Sequence, residues 1–460
     1  MADAITPKVK AVENMVQRAR GATYRTTSPA CPVCHVKMSI GVFFDGTGNH
    51  KGKDFPKNHS NVAALFDAHV EDLDLAAFKF YYEGLGREFN FKDRYEEVMV
   101  PSRGGAHKSQ RYGYDESDGR KMGLGFADGI TARLEKAVFE VTDQIQKQRG
   151  FSRVDEINVS VFGFSRGATE ARAFVNWLAK HSKVQTSGTS LLFDGVPLNI
   201  KFLGLFDTVE SVGMAGTNKL PDLIKTKVPA FVQKCTHIVA AHELRDAFPL
   251  TVVNGTHRCV VYPGAHADIG GGYTNGEQGR SSSLARIALL QMLDEARGAG
   301  VKLMSVGEMQ RTKAWERLYK PSFDVPKESV TALNKYVAAV NPKGALAQHF
   351  KAHMDPYWSW IDSGLAIADV ETKRLQYKAD HTRQAEFQRM HHMLSFQART
   401  DEGKGTKKVS NPSALPSAVK DFFSHYVHDS FEHFSATGGT LQNDLSVADY
   451  YHLRETRQPS

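Results

Sequence analysis

Only four cysteines occur in 460 residues, too few for a disulfide scaffold to hold a chain of this size. Nowhere is there an uninterrupted apolar run of the ~18 residues that a membrane-spanning helix requires. The opening residues, Met1 to Lys8, lack the apolar stretch of a secretory signal. If the protein acts outside its producer, something other than a signal peptide is expected to carry it. Internal repeats, low-complexity tracts and Arg-rich arms are also missing. The basic residues behind the formal net charge of +7 are scattered, so nucleic acid is not an expected partner. Attraction to an anionic lipid surface and a merely solvated surface both remain open.

The one cysteine cluster is Cys31-Pro32-Val33-Cys34-His35. A structural zinc site would need further ligands, and Cys235 and Cys259 stand far off with no second Cys-x-x-Cys. No metal site is therefore expected. A redox turn and an inert amino-terminal segment are the alternatives for Cys31 and Cys34.

What is present points to a soluble α/β protein: 41% hydrophobic and 24% charged residues, enough to bury a sizeable core. Residues 38–45 read as a buried strand running into Gly46-Thr47-Gly48-Asn49, and residues 78–84 as a second strand. Over 126–147, Ile130, Leu134, Ala137, Val138, Val141 and Ile145 keep helical spacing. Residues 157–162 form a strand leading into Ser165, and Ala168, Ala171, Phe174, Val175 and Leu178 mark a helix after it. Further strands, 199–206 and 257–262, end just before Asp207 and His266.

Strands alternating with helices imply a mostly parallel sheet with helices on both faces. The expected division is an amino-terminal segment (1–37), an α/β catalytic core (38–300), a helical cap or insertion (301–400), and a linker with a last helix (401–460). Trp315, Trp358 and Trp360 fall in the helical region. They suit either an amphipathic cap over an acyl-chain cleft or ordinary core packing. The linker covers 401–416, and the last helix, about 417–434, carries Val419, Phe422, Phe423, Tyr426, Val427, Phe431 and Phe434.

The chemistry centres on Gly163-Phe164-Ser165-Arg166-Gly167. Such a pentapeptide is weak evidence alone; its position between an apolar strand and an Ala-rich helix is what the nucleophile elbow of an α/β-hydrolase-like fold requires. A tight strand-to-helix turn puts the serine in strained backbone angles and leaves no room for side chains two residues to either side. The serine then stands at the positive end of a helix, with the Arg166 N–H as one oxyanion donor.

A serine hydroxyl needs a histidine base, and the histidine needs an acid to fix its tautomer. In this fold the chain order is Ser, acid, His, each past a strand's carboxyl end. Asp207 in Phe206-Asp207-Thr208-Val209 and His266 in Gly264-Ala265-His266-Ala267-Asp268 satisfy both conditions. Asp268 is expected to support the site. Gly46 is expected to give the second oxyanion N–H, and Asp45 to bond to loop backbone around the nucleophile. His428 in Tyr426-Val427-His428-Asp429-Ser430 is the rival base. A helical wheel puts it opposite the aromatic stripe, facing solvent, with a cavity as the alternative.

Taken together, Phe44-Asp45-Gly46-Thr47-Gly48-Asn49, Gly163-Phe164-Ser165-Arg166-Gly167-Ala168, Phe206-Asp207-Thr208-Val209 and Gly264-Ala265-His266-Ala267-Asp268-Ile269-Gly270-Gly271-Gly272-Tyr273 resemble the bacterial type VI secretion lipase effectors. Their Gly-x-Ser-x-Gly phospholipase A subfamily is the nearest likeness. The four blocks span roughly residues 40–275 in the family's order. Tyr426–Ser430 is similar to a carboxy-terminal motif among related effectors.

The resemblance implies Ser165 as nucleophile, Asp207 as acid and His266 as base, acting on phospholipid at a membrane surface without a cofactor. It also implies loading on a type VI spike or tube component, action as an antibacterial toxin in the target cell's periplasm, and an immunity protein in the producer. The alternatives are an intracellular esterase for small soluble esters and a non-catalytic binding or cargo module on a hydrolase scaffold.

Overall fold

The computed structural model describes residues 4–5, 35–87, 91–102, 105–113, 128–210, 224–255, 257–400, 415–431 and 450–460. Its strands in chain order are β1 (Ala4–Ile5), β2 (His35–Phe44), β3 (Ala77–Tyr82), β4 (Phe91–Ser102), β5 (Gly105–Gly113), β6 (Arg153–Phe164), β7 (Val184–Ser187), β8 (Ser190–Phe193), β9 (Val196–Phe206), β10 (Cys235–Ala240), β11 (Leu250–Thr251), β12 (Arg258–Tyr262) and β13 (Thr456–Arg457). Among the described residues the main sheet has nine strands. Seven run in the order β1-β12-β10-β9-β6-β2-β3, and the β7–β8 hairpin is attached to the edge of β9's amino-terminal part.

All pairings along the seven-strand path are parallel. Parallel strands covered on both faces read as unbroken apolar runs, and the last seven residues of β2 are all buried. Alternation across the pleat sorts them to two sides. Phe43, Phe162, Phe202 and Phe206 pack with Leu65, Leu284 and Leu289, from the helices Asn61–Ala68 and Ser283–Gly298. Their neighbours Val42, Val161 and Leu205 pack with Ile130, Leu134, Phe174 and Leu178, from Asp128–Phe151 and Arg166–Ala179. Each fully buried phenylalanine of this kind contributes roughly 2–3 kcal/mol by leaving water.

Beyond residue 300 the described residues are mostly helical: Lys327–Val340, Leu346–Asp362, Leu365–Gln376, His381–Thr400 and Ser417–Tyr426. These helices share the first cluster, through Leu333, Tyr336, Met354, Trp360, Phe387, Phe422 and Phe423. Trp360 therefore sits in the core, and Trp358 donates its indole N–H to the Tyr450 carbonyl at 2.8 Å. Among the described residues, no helix is long and apolar enough to cross a membrane.

Relative to the sequence expectations the structure adds the strand β10 and shortens the last helix. The short strand β10 carries no alternation, because all six residues are buried, Thr236 and His237 included; it is invisible to a period-two search. The last helix stops at Tyr426, since Val427 is already extended (φ −95°, ψ 111°). Cys31, Cys34 and linker residues 401–414 lie outside the described residues.

Candidate active site

Ser165, Asp207 and His266 all stand just past the carboxyl ends of main-sheet strands: β6, β9 and β12. Ser165 has φ 59° and ψ −126°, the strained geometry a nucleophile elbow demands. The flanking glycines are required by contact. A Cβ on Gly163 would lie 2.3 Å from the Gly167 carbonyl oxygen, and one on Gly167 would lie 2.3 Å from that of Asp45. The elbow is tied to the acid's loop on both sides: Ser165 N–H donates to Phe206 O (3.0 Å), and Val209 N–H to Ser165 O (3.2 Å).

Asp207 is fully buried and takes φ 46°. Oδ2 faces His266 Nδ1 at 2.5 Å. Oδ1 accepts from Ala240 N–H (2.9 Å) and Arg454 Nη1 (2.6 Å). Burial alone would raise the Asp207 carboxyl, but the Arg454 charge and the His266 contact outweigh it and hold the group well below the ordinary carboxylate range. Burial also holds the His266 imidazole below its usual value, against the upward pull of Asp207. A neutral imidazole with its Nδ1–H on a carboxylate is the state a general base needs.

His266 is boxed by aromatic rings, with Phe164 4.5 Å and Phe248 5.1 Å away between centroids. Its backbone N–H donates to Glu243 Oε2 (3.2 Å). Glu243 in turn is clasped by Arg245 through Nε (2.7 Å) and Nη2 (2.8 Å). The Ser165 hydroxyl is not spent on capping its own helix. No Ser165–His266 hydrogen bond is formed among the described residues, a link that commonly tightens only with substrate in place.

Asp268 does not touch His266. It caps its own short helix by accepting Ala265 N–H (2.9 Å) and binds the ring of His428, Nδ1 to Oδ1, at 2.6 Å. The expectation that His428 faces solvent is overturned. Its side chain has no exposure, and Tyr273 stacks on it at 4.0 Å. The wheel misleads because His428 lies beyond the helix end. Its Nε2 is buried without a partner among the described residues.

Asp45 is buried and accepts from Tyr81 Oη (2.5 Å) and Gly46 N–H (2.7 Å). Burial pushes its carboxyl up to about 6 despite these bonds. The Gly46 N–H is thus directed at Asp45 rather than left open. The adjoining Thr47 hydroxyl is buried with no partner among the described residues. Arg166 opens the first turn of Arg166–Ala179.

The sequence model of the family described as type VI secretion, phospholipase effector Tle1-like, catalytic domain, matches residues 39–194 and 182–295, together more than half of the chain. The chain belongs to the Tle1-like phospholipase effectors. Among solved structures, a crystal structure of an uncharacterized protein from Pseudomonas aeruginosa has a TM-score of 0.59 at 18% identity, covering 98% of this chain and 81% of its own; the two share a fold. A Tle1 effector, solved bound to the VgrG spike of the type 6 secretion system, aligns over 72% of this chain and 88% of its own, at 19% identity and a TM-score of 0.44. No curated protein matches the chain.

For a Tle1-like effector, the residues that sequence reasoning missed are Glu243, Arg245 and Arg454. Recognising β10 would have placed Glu243 past a strand's carboxyl end, where functional groups of α/β sheets gather. Arg454 gave no signal: it stands 247 positions from Asp207 in a short polar segment without periodicity.

Proposed function

We propose that this Tle1-like effector is a phospholipase A that cleaves acyl esters by a Ser165–His266–Asp207 mechanism. The observation that carries the reading is the 2.5 Å Asp207–His266 contact beside a serine held in elbow geometry. In this reading Ser165 Oγ attacks the ester carbonyl carbon as His266 Nε2 takes its proton, and Asp207 fixes the Nδ1–H and balances the imidazolium. The carbonyl oxygen becomes an oxyanion facing the Arg166 N–H. His266 then protonates the departing lysolipid oxygen. A water activated by His266 attacks the acyl-enzyme, releasing fatty acid and restoring Ser165.

Family membership supports delivery by type VI secretion. By likeness to the effector seen on a VgrG spike, we propose loading on a spike component, action in the target periplasm as an antibacterial toxin, and an immunity protein in the producer.

One observation favours a second assignment of the base. His428 has a carboxylate on Nδ1 and a buried, unpartnered Nε2, which are the features of a general base.

Hydrolysis of mixed phospholipid liposomes by wild type, Ser165→Ala, His266→Ala and His428→Ala separates the two. Fatty acid and lysolipid release should vanish without Ser165 or His266 and survive in His428→Ala. Survival without His266 but not without His428 moves the base to His428. Folded wild type that leaves every phospholipid intact sinks the lipase reading and leaves small esters or a binding role.

A further inference from the structure

The acid of the proposed centre is held by a residue from outside the family's catalytic region. Arg454 Nη1 meets Asp207 Oδ1 at 2.6 Å and Ala240 O at 3.2 Å, and Nε donates to Phe248 O at 3.0 Å. Both charged side chains are buried, with 2% and 0% exposure. Residues 450–460 are pinned along this route. Tyr450 Oη donates to Asp429 Oδ2, Leu250 N–H to Glu455 O, Val252 N–H to Arg457 O, and Thr226 N–H to Ser460 O.

We propose that Arg454 is a positioning residue of the esterase centre, which fixes Asp207 as an anion against His266. The inference rests on the triad assigned above. Around Asp207 stand Arg454, His266, the Glu243–Arg245 pair, and the buried neutral groups His237 and Cys259. Two anions (Asp207, Glu243) face two cations (Arg245, Arg454), so the set is neutral when His266 is neutral. Without Arg454 the set carries one negative charge, which favours the imidazolium and removes the base at a given pH. Nη1 alone meets the carboxylate, while the bonds to Ala240 O and Phe248 O hold the planar guanidinium in place against it, which a lysine ammonium would do less well.

The test compares Arg454→Ala, Arg454→Gln and Arg454→Lys with wild type on a soluble ester across pH 5–9. Arg454→Ala and Arg454→Gln should move the acid limb of kcat/KM upward by about one pH unit or more, with kcat at pH 6.5 down ~10-fold or more and KM little changed. Arg454→Lys should leave the limb in place and lower only the plateau. Added guanidinium should partly restore Arg454→Ala. Where Arg454→Ala does not fold, the Gln and Lys variants carry the comparison.

Selective 15N-histidine NMR reads the same point without substrate, since the His266 ring should titrate at higher pH in Arg454→Gln than in wild type. A limb and a His266 titration that stay put in folded Arg454→Gln overturn the inference. Wild type that cleaves no ester, with Ser165 unlabelled by a fluorophosphonate, overturns the triad instead, and the NMR titration still decides the charge effect of Arg454.

Discussion

Asp268 Oδ1 and His428 Nδ1 lie 2.6 Å apart although 160 positions separate them in the chain. The same carboxylate accepts the His428 backbone N–H at 3.0 Å. This buried aspartate–histidine pair thus ties the segment after the last helix to the short helix that begins with His266.

Removing one partner of that buried pair leaves the other unsatisfied, at a cost of about 1–3 kcal/mol. Asp268→Asn and His428→Ala are therefore expected to lower the chemical denaturation midpoint. Under conditions where both variants are folded, ester hydrolysis should stay within several-fold of wild type. A variant with unchanged stability but abolished hydrolysis would instead make this pair the catalytic one.

Gly163 and Gly167 admit no side chain. The carbonyl oxygens of Gly167 and Asp45 are backbone atoms at 2.3 Å from the respective Cβ positions, so neither can swing aside. Gly167→Ala should destabilise by ~1–3 kcal/mol and shift the Ser165 turn enough to lower kcat by at least ~10-fold. Equilibrium unfolding and single-turnover acylation would read the two effects. Gly270→Ala is a companion case: its Cβ would lie 1.9 Å from Phe164 Cε2, displacing the ring that packs against His266.

Asp45 makes a pH signature of its own. Its folded value of about 6 stands above the ordinary 3.8, so the protonated form is the one that folding favours. The stability it contributes is complete below about pH 3.8 and is lost as pH rises towards 6. The gap corresponds to ~3 kcal/mol. The difference in unfolding free energy between wild type and Asp45→Asn should therefore change across pH 4–6, with wild type losing ground as pH rises. A pH-independent difference would show that Asp45 titrates normally.

Much of this architecture was legible because strands buried on both faces advertise themselves. The strands leading to Ser165, Asp207 and His266 read as apolar runs, and the glycines around Ser165 read as a turn too tight for side chains. The readings that failed depended on where a local rule stops. The wheel that turned His428 to solvent assumed a helix that ends two residues earlier, at Tyr426. Strand β10 hid behind two buried polar residues, Thr236 and His237, and took Glu243 and Arg245 with it. Gly46 was chosen for its place in the loop, which says nothing of a neighbouring carboxylate claiming its N–H. The partnership of Arg454 with Asp207 is a product of tertiary assembly, and no window of sequence contains both.

The long span of that last contact sets an order on the making of the protein. A ribosome that has finished residue 430 has already made Ser165, Asp207 and His266, but not the cation that meets Asp207. The partner charge is translated after all three, so during synthesis the growing chain carries those side chains while the Asp207 carboxylate still lacks its arginine.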